Sequence, residues 1–245
     1  MMRGLFVTGI GTSVGKTFVT RGIARALVRR ELRVRAVKPI ETGTDQTNES
    51  ESDAAGLARA ACMRESDRHD RGYYRARAPL APYAATLEGE PPPPSIQALA
   101  NLTRVELGAE PTRVEVGPDV VLVEGAGGIL TPIDRTTSIA DLASALSFPT
   151  LLVARDELGV LSQVLCAAES AWAHRLHLAG VVLVRTRAAL DRSASTNARI
   201  LSERLDAPVR IFPCTDDDDD ALAEAAEDSG IVSDIVLRAL ARRTG

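Results

Sequence analysis

The stretch Phe6-Val7-Thr8-Gly9-Ile10-Gly11-Thr12-Ser13-Val14-Gly15-Lys16-Thr17 decides the fold. A short apolar run, Leu5 to Val7, enters a glycine-rich turn, and the turn opens into a helical pattern with Val19, Ile23, Ala26 and Leu27 on one face. Strand, glycine loop, helix is the context of a phosphate-binding loop. Backbone N–H groups of the loop and of the helix N-terminus converge on an anion there, and the helix dipole favours negative charge. In such a loop Lys16 reaches the β- and γ-phosphates and the Thr17 hydroxyl meets Mg²⁺. Gly9 and Gly11 flank Ile10, so counted from Gly9 the loop is one residue longer than the usual G-x4-G-K-[ST]. The alternative is a glycine-rich turn with no ligand. Gly15-Lys16-Thr17 directly after a buried strand argues against it.

The chain has 245 residues, 45% of them apolar, which is enough for a sizeable core. Aromatics are only 3%, so that core is built from Val, Leu, Ile and Ala, as suits a parallel sheet covered by helices. The net charge of −4, without a strong basic patch, argues against nucleic acid as a partner. Cys62, Cys166 and Cys214 are far apart and lack metal spacing, so free thiols of a cytoplasmic protein are expected. Because the first strand begins at once, no signal peptide is expected, and no apolar run is long enough to cross a bilayer as a helix.

Further strands are expected at Leu32 to Val37, Asp119 to Val123, Thr150 to Ala154, Gly180 to Val184 and Val209 to Phe212. Helices are expected from Asp53 with Ser52 as N-cap, near Ser95, over Leu161 to Ala173, through Asn197 to Leu205, and over Ile231 to Arg242. Ile40 to Ser52 reads as an exposed polar loop, Arg64 to Gly72 as a connection, Tyr73 to Leu87 as irregular or extended, and Gly108 to Gly117 as a joint. Pro91 to Pro94 reads as a stiff spacer. Asp216 to Asp220 reads as a solvated loop or a helix N-terminus rather than a metal site. The alternation predicts an α/β fold: a single domain over residues 1–245, a doubly wound, mainly parallel sheet of the P-loop NTPase type.

Ligands of an open α/β sheet sit beyond the C-terminal ends of its strands. Lys16 and Thr17, Lys38, and Glu124 with Gly125-Ala126-Gly127-Gly128 all fall there. An acid closing an all-apolar strand is costly without a cation, so Glu124 is a candidate Mg²⁺ ligand, directly or through water. Asp53 could add an oxygen or merely complement its helix dipole. Lys38 can neutralise charge on a transferred phosphoryl group or a carbamate.

Four motifs together resemble the dethiobiotin synthetases: Thr8 to Thr17, Val37-Lys38-Pro39-Ile40-Glu41-Thr42-Gly43, Ser52-Asp53-Ala54, and Val123-Glu124-Gly125-Ala126-Gly127-Gly128. The similarity runs on more weakly through Leu158 to Ser162 and Ala179 to Val182. It implies a ligase in which an amine of 7,8-diaminononanoate captures CO₂, ATP phosphorylates the carbamate, and the second amine closes a ureido ring. It implies Thr17, Asp53 and Glu124 as Mg²⁺ ligands, with Lys38 and Lys16 catalytic. ATP contacts would be Ser13, Val14, Gly15, Lys16, Thr17, Asp53, Glu124, Gly125, Ala126, Gly127 and Pro213. Thr12 and Thr42 would face the diamine. The resemblance also implies a homodimer in which Gly159-Val160-Leu161-Ser162 of one subunit holds the substrate carboxylate bound to the other.

Val184-Arg185 departs from the family, which commonly has Asn-Asp there, and this bears on base recognition rather than on phosphate chemistry. Two other readings share the nucleotide loop. A cobyrinate-type amidoligase would need a glutaminase domain for which the chain is too short. A partitioning or switch ATPase would carry a second lysine early in the loop, and positions 9 to 12 have none.

Overall fold

Four all-apolar runs settle into the centre of one sheet because both of its faces are covered. The structure, a computed structural model, describes residues 3–44, 52–63, 73–106, 117–186 and 192–241. The expected connection at 64–72, nearly all of the joint at 108–117, most of the polar loop at 40–52 and Arg242 therefore lie outside the described residues. The main sheet is formed by β1 (Gly4–Gly9), β2 (Val34–Val37), β5 (Val120–Gly128), β6 (Thr150–Arg155), β7 (Leu178–Val184) and β8 (Val209–Phe212), in the order β2-β5-β1-β6-β7-β8. Every pairing in it is parallel.

Side chains alternate between the two faces, as the pleat requires. Leu5 and Val7 join one core with Val120, Leu122, Leu151, Val153 and Val182, whereas Phe6 joins the other with Val121, Val123, Leu152 and Val181. The first core is closed by α1 (Lys16–Arg29), α2 (Asp53–Ala60), α8 (Asp219–Asp228) and α9 (Leu237–Ala241). The second is closed by α4 (Ile96–Glu106), α5 (Ile139–Leu146), α6 (Val160–Ala173) and α7 (Asn197–Arg204).

Several short elements differ from the sequence expectations. Ile40 and Glu41 are buried: they open β3 (Ile40–Thr42), which pairs in parallel with β4 (Tyr74–Ala76). The segment after β4 carries α3 (Pro82–Leu87), begun by a proline at its first position. The strand at 119–123 runs on through Gly128, with a register shift against β1 between Val7 and Gly9. The helix expected over 231–242 is helical over 231–241 and includes a π-helical turn at Val232–Val236. The run Asp216 to Asp220 leads into α8, in keeping with the helix N-terminus read there: Asp218 is the N-cap and accepts from the N–H groups of Asp220 and Ala221, and Asp219 and Asp220 are the first residues of the helix.

Two helices meet at a glycine. A Cβ on Gly22 of α1 would stand 2.6 Å from the carbonyl oxygen of Leu222 in α8, which is backbone and cannot turn aside. Overpacking of this kind costs about 1–3 kcal/mol, while alanine's better helix propensity returns about 1 kcal/mol. Gly22→Ala is therefore expected to lower the stability measured by denaturant unfolding by up to about 2 kcal/mol. A gain in stability would show that α1 and α8 separate freely.

Candidate active site

The strand register builds the site. Val37 of β2 is the lateral partner of Val123 of β5, so the next residue of each strand, Lys38 and Glu124, emerges beside the other. On its other side Glu124 is the register partner of Val7 in β1, so the loop that β1 feeds begins next to it. Lys38 Nζ donates to Glu124 Oε1 at 2.8 Å, and the Thr17 hydroxyl donates to the same oxygen at 3.0 Å. Lys38 Nζ also donates to Asp53 Oδ2, so one ammonium bridges the two carboxylates. Glu124 is wholly buried and Lys38 nearly so, and Glu124 Oε2 has no hydrogen-bond partner among the described residues.

Burial opposes the charge on Lys38, but Glu124 and Asp53 outweigh it and hold the ammonium above the ordinary lysine pKa. Lys16 lacks that compensation. Burial, with the charge of Lys38, pushes it down to about 8 against the opposing pull of Glu124. Its Nζ donates to the carbonyl of Gly11 at 2.8 Å, folding back over its own loop. Gly15 has φ +94 at the N-cap of α1, and a Cβ there would stand 2.9 Å from a methyl of Val184, so the loop can press on β7 only with glycine at that position.

Asp53 begins α2, whose N-cap Ser52 accepts from the N–H of Ala55 at 3.1 Å. The Asp53 N–H donates to Glu41 Oε1 at 2.6 Å. Burial raises the Glu41 carboxyl above its ordinary pKa, against the opposing charges of Lys38 and Arg75. Glu41 thus steers the helix start that carries Asp53.

A cavity of about 480 Å³ opens over these groups. Of the candidate site residues, Thr12, Ser13, Val14, Gly15, Lys16, Thr17, Lys38, Thr42, Asp53, Ala126, Gly127 and Pro213 line it. Glu124 is not among the lining residues but contacts two of them, Thr17 and Lys38, and Gly125 is not lining either. Gly159-Val160-Leu161-Ser162 lie elsewhere, at the start of α6, where Gly159 is the N-cap and no side chain caps the helix. Phe18, Arg155, Phe212, Cys214 and Thr215 also line the cavity and were not singled out from sequence. Arg155 closes β6, so the strand-end rule alone would have pointed to it; its Nε donates to the carbonyl of Ser13 at 2.8 Å and braces the loop. Val184 packs against Gly15, and Arg185 Nε is engaged by the buried Asp156 at 3.0 Å.

Comparison with known proteins gives the family and the fold. The family model described as AAA domain matches residues 3–211. A solved structure of the signal recognition particle receptor FtsY from Elizabethkingia anophelis superposes with a TM-score of 0.50 at 13% identity, over 92% of this chain and 65% of that one, and so shares the fold. Curated relatives are similar over most of their length. The ATP-dependent dethiobiotin synthetase BioD of Caulobacter sp. strain K31 is 36% identical, over 98% of this chain and 96% of its own. The protein of the same description from Caulobacter vibrioides strain NA1000 / CB15N is 38% identical, over 78% of this chain and 83% of its own. That of Anoxybacillus flavithermus is 32% identical, over 85% and 90%. With a P-loop at the head of a parallel sheet and these relatives along nearly its whole length, the chain belongs to the ATP-dependent dethiobiotin synthetases.

Proposed function

We propose that the cavity makes dethiobiotin from 7,8-diaminononanoate, CO₂ and ATP. One amine adds to CO₂ and loses a proton, giving a carbamate. A carbamate oxygen takes the γ-phosphoryl group and ADP leaves. The second amine then attacks the carbamate carbon, closing the ureido ring and expelling phosphate. The observation that carries this reading is Lys38, a nearly buried ammonium at a strand end, opening onto the cavity that the P-loop borders.

Backbone N–H groups of residues 13–17 and the Lys16 ammonium suit the triphosphate. Thr12 and Thr42 are assigned to the diamine and Pro213 to the base. Lys38 supplies positive charge where the carbamate and the transferring phosphoryl group gather negative charge, and its surroundings are already arranged for it. Thr17, Asp53 and Glu124 would hold Mg²⁺. They fit it because they are hard oxygen donors, because one Glu124 oxygen is buried without a partner, and because two carboxylates face one Lys38 ammonium. When bound there, Mg²⁺ neutralises phosphate charge and polarises the phosphoryl group.

A homodimer completes the reading. The Gly159 to Ser162 backbone of one subunit meets the diamine carboxylate bound mainly to the other. The first turn of α6, which no side chain caps, supports this: apart from Val160 N–H, which donates to the Glu157 carbonyl at 3.2 Å, its N–H groups are suited to an anion, and Leu158 beside it is 82% exposed. We assign the enzyme to the cytoplasm, in keeping with three free cysteines and with the absence, among the described residues, of any helix long and apolar enough to cross a membrane.

A coupled assay with ATP, bicarbonate and the diamine is expected to yield dethiobiotin, with ATP turnover dependent on the diamine; turnover indifferent to the diamine would mark a switch ATPase. In the same assay Lys38→Ala is expected to lower kcat about a hundredfold, roughly 3 kcal/mol, with a smaller change in nucleotide affinity. A raised nucleotide Kd with unchanged kcat would make Lys38 a binding residue only. Glu124→Gln, which keeps the side chain's shape, is expected to remove most turnover while circular dichroism stays native; full activity would refute the metal assignment. Sedimentation at assay concentration is expected to give a dimer, and an active monomer would exclude the shared site.

A further inference from the structure

We infer that Asp219 is a positioning residue for nucleotide binding: through Arg21 it ties the cavity-lining segment Pro213-Cys214-Thr215 to the helix that carries the P-loop. Asp219 is the first residue of α8, and its Oδ1 accepts from Arg21 Nε at 2.7 Å. Arg21 lies on α1, which begins at Lys16, and its Nη1 reaches Asp217 at 2.5 Å. The other Asp219 oxygen accepts from Arg59 Nε of α2 at 3.2 Å, and α2 begins at Asp53. One carboxylate thus joins the P-loop helix, the Asp53 helix and the segment that runs from β8 to α8.

The burial of this pair separates it from ordinary surface charge. The Arg21 and Asp219 side chains are 9% and 17% exposed, against 82% and 61% for the pair Arg199–Glu203. An exposed pair is worth little and is screened by salt, whereas a desolvated, multiply bonded one holds its geometry. The Arg21 stem also crosses α2, where a Cβ on Gly56 would stand 3.5 Å from it, and its guanidinium lies 5.9 Å from the ring centroid of Phe18, a cavity residue.

Among the described residues, side-chain bonds to residues 213–217 come only from Arg21, and Arg25 and Arg29 hold Asp220 further along α8. Phe212 ends β8 and Asp218 caps α8, so residues 213–217 are held at one end by the sheet and at the other by Asp217 and Asp219 on Arg21. The P-loop has its own supports in the Lys16–Gly11 and Arg155–Ser13 bonds. Loosening Asp219 therefore frees the 213–215 side of the cavity and leaves the phosphate cradle formed.

The inference rests on reading the cavity as a nucleotide site with phosphates at the P-loop and the base beside residues 213–215. The test compares ATP with inorganic tripolyphosphate, each with Mg²⁺, by calorimetric titration of the wild-type chain, Asp219→Asn and Arg21→Met. Both variants are expected to raise the Kd for ATP about tenfold, as loss of a pre-ordered contact does, and to leave tripolyphosphate within about twofold. Equal weakening of both ligands, or unchanged ATP affinity, would overturn the inference. A wild-type chain that binds neither ligand would instead overturn the nucleotide reading of the cavity. If circular dichroism shows either variant unfolded, Arg21→Lys, which keeps the charge but not the paired donors, carries the same comparison.

Discussion

A carboxylate with no access to water, Glu124, and the ammonium of Lys38 against it are the constraint around which this site is organised. Taking either charge out of water alone is prohibitive: removing Lys38 leaves the buried Glu124 uncompensated at a cost of roughly 3–5 kcal/mol, whereas neutralising Glu124 leaves Lys38 paired with Asp53. The pair persists because β2 and β5 are adjacent and in register, so the two chains deliver these residues side by side. Thr17 reaches the same carboxylate from the third strand's loop, because β1 lies on the other side of β5. Charge that the fold must tolerate for its own integrity is thereby held where phosphoryl chemistry needs it.

Around that pair the backbone comes unusually close to neighbouring groups. Gly15 lets the P-loop lie on Val184, and Gly22 lets α1 lie on α8. The two contacts fix opposite ends of the arrangement: one sets the loop against β7, the other sets the helix behind the loop against the helix that follows the last strand. Arginines of α1 then pair with the acids that open α8, where negative charge also suits the helix dipole.

The long apolar strands were legible because a buried parallel strand has only one kind of composition to offer. So were the helix starting at Ser52-Asp53, through its cap, and the alternation that makes the sheet parallel. The three-residue strands β3 and β4 were not legible, since three residues set no period. Glu41 was hidden for the same reason: within Glu41 to Ser52 it looks like one more loop acid, and only its burial beneath Asp53 reveals its task. The acidic run was legible as a helix start but not the length of α8 behind it, because Asp219 and Asp220 open the helix and its apolar face begins only with Leu222 and Ala223.

By itself the sequence determined which chemistry the strand ends could carry: a glycine loop with Lys16 and Thr17, a lysine before a proline, and a glutamate closing an apolar run. Those are local facts, written in neighbouring residues. The tertiary structure alone decided which of them meet. Lys38 and Glu124 are 86 residues apart in the chain, and Arg21 and Asp219 are 198 apart. Strand order and register, which the apolar pattern leaves open, bring the first pair together, and the docking of α8 on α1 brings the second. The physical reason is that burial rewards any apolar face equally, whereas a buried charge accepts only the partner that the finished packing places beside it.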